Sequence, residues 1–158
     1  MKTKATSNEL LDQPSPSDLD AERGVLGSIM LDGETREKVA FLKPCDFFLK
    51  EHATLFRVLM EMGPIDDVLL VATLRASGKL EDIGGMAYLS EIVQSVPMAS
   101  HAIHYAKIVK ETALRRALVR LNCEVLKAAY SGRWTARELA DRQVARLKQI
   151  FSEVDHGS

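Results

Sequence analysis

Apolar residues recur at three- and four-residue spacing along most of the chain, which is the period of helices. The strongest run is DLDAERGVLGSIMLD, Asp18 to Asp32. Leu19, Val25, Leu26, Ile29 and Met30 fall on one side of it, and Asp18 or Ser17 supplies a cap behind Pro16. Gly24 and Gly27 each cost about 1 kcal/mol inside a helix relative to Ala, so their presence predicts a second helix crossing closely there. Gly33 marks the stop. Further helices are expected over Glu34–Leu42, Lys50–Met62, Asp67–Ala76 and Met86–Gln94, broken at Lys43-Pro44, Gly63-Pro64, Gly78, Gly84-Gly85 and Pro97.

The last third has a different pattern. A helix over about His101–Tyr130 carries one stripe at Leu114, Leu118, Leu121, Val125 and Ala128. A second helix opens on the capping box Thr135-Ala136-Arg137-Glu138 and carries Ala140, Val144, Leu147, Phe151 and Val154. The turn Ser131-Gly132-Arg133-Trp134 is short enough to lay the two antiparallel, with Leu114, Leu118, Leu121, Val125, Val144, Leu147 and Phe151 as the seam. The first helix has a further stripe, Val119, Cys123, Leu126 and Tyr130, on nearly the opposite face. A two-helix arm cannot cover both stripes itself, which predicts pairing with a second copy. The fold class is therefore all-α. A disordered arm over 1–15 leads into a small globular helical head over 16–100, then a long antiparallel helical hairpin over 101–155 that drives oligomerisation. The head is expected to melt cooperatively on its own.

Composition narrows the functions. The chain has 158 residues with 46% hydrophobic and 27% charged, a folded-protein composition. Aromatics at 6% argue against a base-stacking platform, and a net charge of −1 argues against a DNA-coating protein. The charge is uneven: residues 1–100 are net −6 and residues 101–158 net +5, so unlike ends of two copies attract. Cys45 and Cys123 are far apart and suggest neither a disulfide framework nor a metal site, which fits a reducing cytoplasm. No apolar run approaches the ~20 residues of a membrane span.

Several stretches, taken together, identify a family. PSDLDAERGVLGSIMLD resembles the opening of the N-terminal domain of bacterial replicative DNA helicases, the DnaB family. Downstream, Asp46-Phe47-Phe48, His52 and Leu55-Phe56 are similar to a second family stretch. Pro64-Ile65-Asp66, Leu74, Gly78, Leu80, Ile83-Gly84-Gly85 and Tyr88-Leu89 resemble a third, and Tyr105, Ala106, Ile108, Val109 and Arg115-Arg116 resemble the start of the long helix that follows. The likeness runs from about Pro16 to Arg120. It implies a helical head and hairpin that form part of a ring collar, a dimer at least and by extension a hexamer, and that bind primase and helicase-loading proteins in the primosome.

The residues offer little catalytic chemistry. No G-x-x-x-x-G-K-[ST] phosphate loop occurs, so the chain is not expected to be an enzyme or to hold a cofactor, although the full protein it resembles is an ATP-dependent helicase. The acids Asp18, Asp20, Glu22, Asp66, Asp67, Glu81 and Asp82 read as caps and exposed turns. His52 reads as a hydrogen-bonded core or boundary residue. His101 and His104 sit at metal-ligand spacing without a third ligand; a small metalloenzyme is the weakest reading. The basic residues Arg115, Arg116, Arg120, Arg137 and Arg142, with Lys107, Lys110, Arg133 and Arg146 beside them, are candidates for phosphate or partner contact, with only weak, salt-sensitive DNA binding expected. The main reading is a non-catalytic assembly and partner-binding domain of a replicative helicase. The alternative is a free-standing interaction protein, such as a helicase loader, adaptor or phage-type antagonist, that mimics that domain.

Overall fold

The computed structural model describes residues 12–96 and 98–155, with the side chains of Ser100 and of residues 153–155 outside that description. The expected arm over 1–15 and the break at Pro97 therefore fall wholly or partly outside the described residues. Among the described residues there are seven α-helices and no strands. They are α1 (Leu19–Leu31), α2 (Thr35–Lys38), α3 (Lys50–Glu61), α4 (Asp67–Ala76), α5 (Gly85–Gln94), α6 (Ala102–Ser131) and α7 (Ala136–Asp155). Short 3-10 turns at Pro44–Asp46 and Ala99–His101 complete the order.

Helix α1 is the axis of the head. The Asp18 carboxylate accepts the Ala21 N–H at 2.9 Å and starts it. Val25, Leu26 and Ile29 are fully buried, and α3, α5 and α6 all pack around it. The two glycines allow two close approaches. A Cβ on Gly24 would lie 2.7 Å from the Tyr105 ring on α6. A Cβ on Gly27 would lie 2.7 Å from the Ile92 carbonyl oxygen and 2.5 Å from Val96 Cγ2, at the end of α5.

The other head helices follow their sequence signals, with one exception. Asp66 accepts from Val68 and Leu69 N–H and caps α4, of which Leu70 and Leu74 are buried. Gly84 (φ +102) and Gly85 (φ +72) make the left-handed entry to α5. The exception is the helix expected over Glu34–Leu42, which is a single turn, α2. The chain unwinds to bury Val39 and Leu42, and Lys43 is extended before Pro44. Arg36 then reaches across to donate to the Met62 carbonyl at 2.7 Å and the Leu59 carbonyl at 3.4 Å, satisfying the end of α3.

The expected boundary at residue 100 falls two residues before α6 begins. Ala102, Ala106 and Val109 are fully buried members of the head core, and Ala113 is nearly so. The first three turns of α6 are therefore head, and the hairpin proper begins beyond them. Two basic side chains fasten this junction. Lys110 Nζ lies 3.1 Å from Asp46 Oδ2, and Arg116 donates to the carbonyls of Pro16 (2.8 Å) and Asp46 (2.5 Å).

In the hairpin, Gly132 (φ +64) ends α6, and Thr135 with Glu138 forms the capping box of α7. On α6 the inward residues are those the spacing picks out, with Leu121 buried and Leu114, Leu118 and Val125 partly covered. On α7 the covered residues are Leu139, Gln143, Leu147 and Ile150. Val144 and Phe151, expected in the seam, lie half exposed, and Ala140 is exposed. Two contacts set this rotation of about one residue: Arg142 stacks on Trp134 at 4.3 Å, and Gln143 donates to Asn122 Oδ1 at 3.4 Å.

Candidate interaction face and the network behind it

The outer face of α6 leaves the second apolar stripe exposed among the described residues. Val119 (50% exposed), Leu126 (45%) and Tyr130 (88%) stand open on α6, with Cys123 half buried between them. At about 100° per residue they span about 60°, centred opposite Leu121. Val144 (50%) and Phe151 (41%) of α7, displaced from the seam, are also exposed.

The candidate cations are used differently from one another. Arg116 is not available to a phosphate or a partner: both carbonyl bonds and the Phe48 ring, 5.6 Å away, hold it inside the chain. Burial lowers its pKa, and the neighbouring charge of Glu22 works in the opposite direction. Arg115 pairs with Glu111 at 2.8 Å and Arg137 with Asp141 at 3.5 Å, both exposed. Arg142 lies on Trp134, and Arg120 is exposed.

Glu22 was missed as a structural residue. It is fully buried rather than an exposed cap. Its Oε1 accepts the Phe48 N–H at 2.6 Å, and its Oε2 lies 2.5 Å from His52 Nδ1. His52 Nε2 lies 2.7 Å from the Tyr88 hydroxyl. A carboxylate oxygen only accepts, so the Nδ1 proton points at Glu22 and fixes the ring. The sequence signal was positional: Glu22 lies four before Leu26 and seven before Ile29, on the apolar stripe itself. The network ties α1, α3 and α5 together, and its buried side chains hold the head. Among the described residues no three of His, Cys, Asp and Glu converge on a metal-sized site; the His101 and His104 rings are 6.3 Å apart.

A buried polar clasp on the central helix, two glycine crossings and a projecting hairpin narrow the choice of fold, and comparison with known proteins decides it. The family model described as the DnaB-like helicase N terminal domain matches residues 14–111. The chain belongs to the DnaB-like helicase N-terminal domain family. The matched segment ends where the head core ends, at the third turn of α6. The replicative DNA helicase DnaB of Geobacillus stearothermophilus is 33% identical over 148 residues, 90% of this chain. The chain spans about a third of that relative's length. The crystal structure of the N-terminal domain of DnaB helicase from Mycobacterium tuberculosis superposes with a TM-score of 0.79 at 35% identity, covering 85% of this chain and 99% of that one. A DnaB-like replicative helicase, solved in a study of its interactions with primase, shares the fold at a TM-score of 0.68 and 22% identity, over 84% of this chain and 31% of that one. No helix among the described residues is long and apolar enough to cross a membrane.

Proposed function

We propose that this DnaB-like domain is an assembly and partner-binding module of a replicative helicase, acting in the cytoplasm. The observation that carries this reading is the outer apolar face of α6, Val119, Leu126 and Tyr130, left exposed by the hairpin. Each large apolar side chain moved fully out of water stabilises by roughly 1.5–3 kcal/mol. A two-fold pairing of hairpins brings this face against itself. Repetition of such pairs supports a hexameric ring collar. Kinship with a helicase studied with primase supports primase as a partner, and a helicase loader is a second partner of the same kind. ATP-driven unwinding is assigned to the additional length of the relatives and not to this chain, which lacks a phosphate loop. DNA contact is weak, because the net charge is −1 and Arg116 is engaged internally.

Light scattering tests the pairing. The wild type should have at least the mass of a dimer at roughly tens of micromolar, the concentration range of modest protein–protein affinities. Leu126→Asp should shift it to monomer with unchanged helicity. A wild-type monomer, or a variant that stays fully dimeric, would contradict the reading. If wild-type and variant dimers behave alike, the free-standing partner-mimic alternative gains, and a primase titration separates the two: the domain should bind purified primase, and a mimic of it that occupies a helicase should bind helicase instead.

A further inference from the structure

The flank of the hairpin opposite the apolar face carries a groove that the pairing does not use. It has a volume of about 230 Å³ and lies between α6 and α7 near the turn. Leu121, Leu139 and Trp134 are among its apolar lining. Arg142 and Arg146 line its α7 side, and Glu124 is the one acid among its lining residues. The ring of Trp134 is bracketed by Arg142 at 4.3 Å and Arg133 at 5.3 Å. Of the nearby acids, Asp141 pairs with Arg137, and Glu138, which accepts from Thr135, also acts electrostatically on Arg142. The groove thus joins apolar lining to a rim where Arg133, Arg142 and Arg146 exceed Glu124 and Glu138 by one positive charge.

We infer that this groove docks an acidic segment of a partner protein that inserts one large apolar side chain. The cavity has room for one such anchor against Leu121, Leu139 and Trp134. Carboxylates beside the anchor meet Arg142 and Arg146, where Arg forms directional, charge-assisted bonds. The hairpin of a second copy is a poorer occupant of this rim, being itself net +5 over residues 101–158, whereas its head, net −6 over residues 1–100, is the competing occupant that oligomer mass tells apart below. The inference rests on the partner-binding reading above and specifies the chemistry of one partner.

Trp134 is the only tryptophan in the chain and reports directly on the groove. The probes are two synthetic helical peptides of about 15 residues, the length at which isolated helices become viable. Both carry Leu at four-three spacing; one has Glu and the other Lys at the flanking positions. The acidic peptide should shift Trp134 emission saturably and the Lys peptide should not. Arg146→Glu should weaken the acidic peptide at least about tenfold, since it replaces an attraction with a like-charge contact. Arg137→Glu, the same charge change on the same helix but outside the groove, should leave binding unchanged. The absence of a saturable shift overturns the inference. So does equal binding of both peptides, or equal loss in the two variants, each of which means a non-specific basic surface. Light scattering of Arg146→Glu covers the remaining case: a change in oligomer mass shows that a second copy covers the groove, and overturns the partner assignment. A monomeric wild type that still binds the acidic peptide breaks the pairing reading and leaves the groove standing.

Discussion

Among single residues, Glu22 has the largest predicted effect. Glu22→Ala strands the Phe48 N–H and the His52 Nδ1–H in a dry interior, and losing one partner of a buried charged contact costs roughly 3–5 kcal/mol. Glu22→Gln should cost less than half of that. Its amide oxygen still serves Phe48, and His52 can switch tautomer and donate to the Tyr88 hydroxyl. Urea unfolding of both variants checks the order; equal losses would mean that charge, not hydrogen-bond geometry, holds the site. The glycines give a second test with a counterintuitive sign. Helix propensity alone favours Gly27→Ala by about 1 kcal/mol, but the new methyl meets the Ile92 carbonyl, which is backbone and cannot swing away. The predicted result is a net loss of about 1–3 kcal/mol. At Gly63, where a Cβ meets nothing within 4 Å, the same change should be neutral or stabilising. The close approach at Gly24 and Gly27 was legible because two glycines in a strong helix need a reason. The burial of Glu22 was not, because an acid in a first turn looks like a dipole partner until the depth of the helix is known.

At the scale of elements, the sequence located six of the seven helices to within a few residues, since each carried a cap or a breaker. Helix α2 was overextended because its pattern did not show that Val39 and Leu42 are buried by unwinding. On α7 the spacing allowed two phases. Leu139, Gln143, Leu147 and Ile150 satisfy it as well as Ala140, Val144, Leu147 and Phe151, and periodicity counts Gln143 against the first. The choice is made by the Trp134–Arg142 stack and the Asn122–Gln143 bond, both tertiary contacts. The start of α7 gives a pH prediction. Hydrogen bonds from the Thr135 backbone N–H and hydroxyl lower the Glu138 pKa. Its stabilising contribution is therefore present above the ordinary Glu value of about 4.3 and is lost as pH falls through the lowered folded value. Circular dichroism on acidification should show α7 fraying in the wild type. Glu138→Gln should lack that acid-dependent component, and an identical acid profile in the variant would contradict the cap assignment.

At the scale of the whole molecule, the head and the hairpin share one helix. Because Ala102, Ala106 and Val109 are core and Tyr105 fills the space above Gly24, residues 1–100 alone should not melt cooperatively, whereas residues 1–116 should. The sequence boundary was placed at the Pro97 break, which ends an element without ending the core. The same continuity means that a hairpin pairing with its mate carries its head with it rigidly through Lys110 and Arg116. The central claim, that copies pair through the outer face of α6, is tested most directly by Cys123. This residue lies at the middle of the stripe from Val119 to Tyr130, so a two-fold axis through the stripe sets it near the Cys123 of the second copy. A short bismaleimide should convert the wild type and Cys45→Ser to a covalent dimer on a denaturing gel, and Cys123→Ser should stay monomeric. A dimer that depends on Cys45 alone, or no covalent dimer at concentrations where light scattering shows association, would place the interface elsewhere and contradict the account.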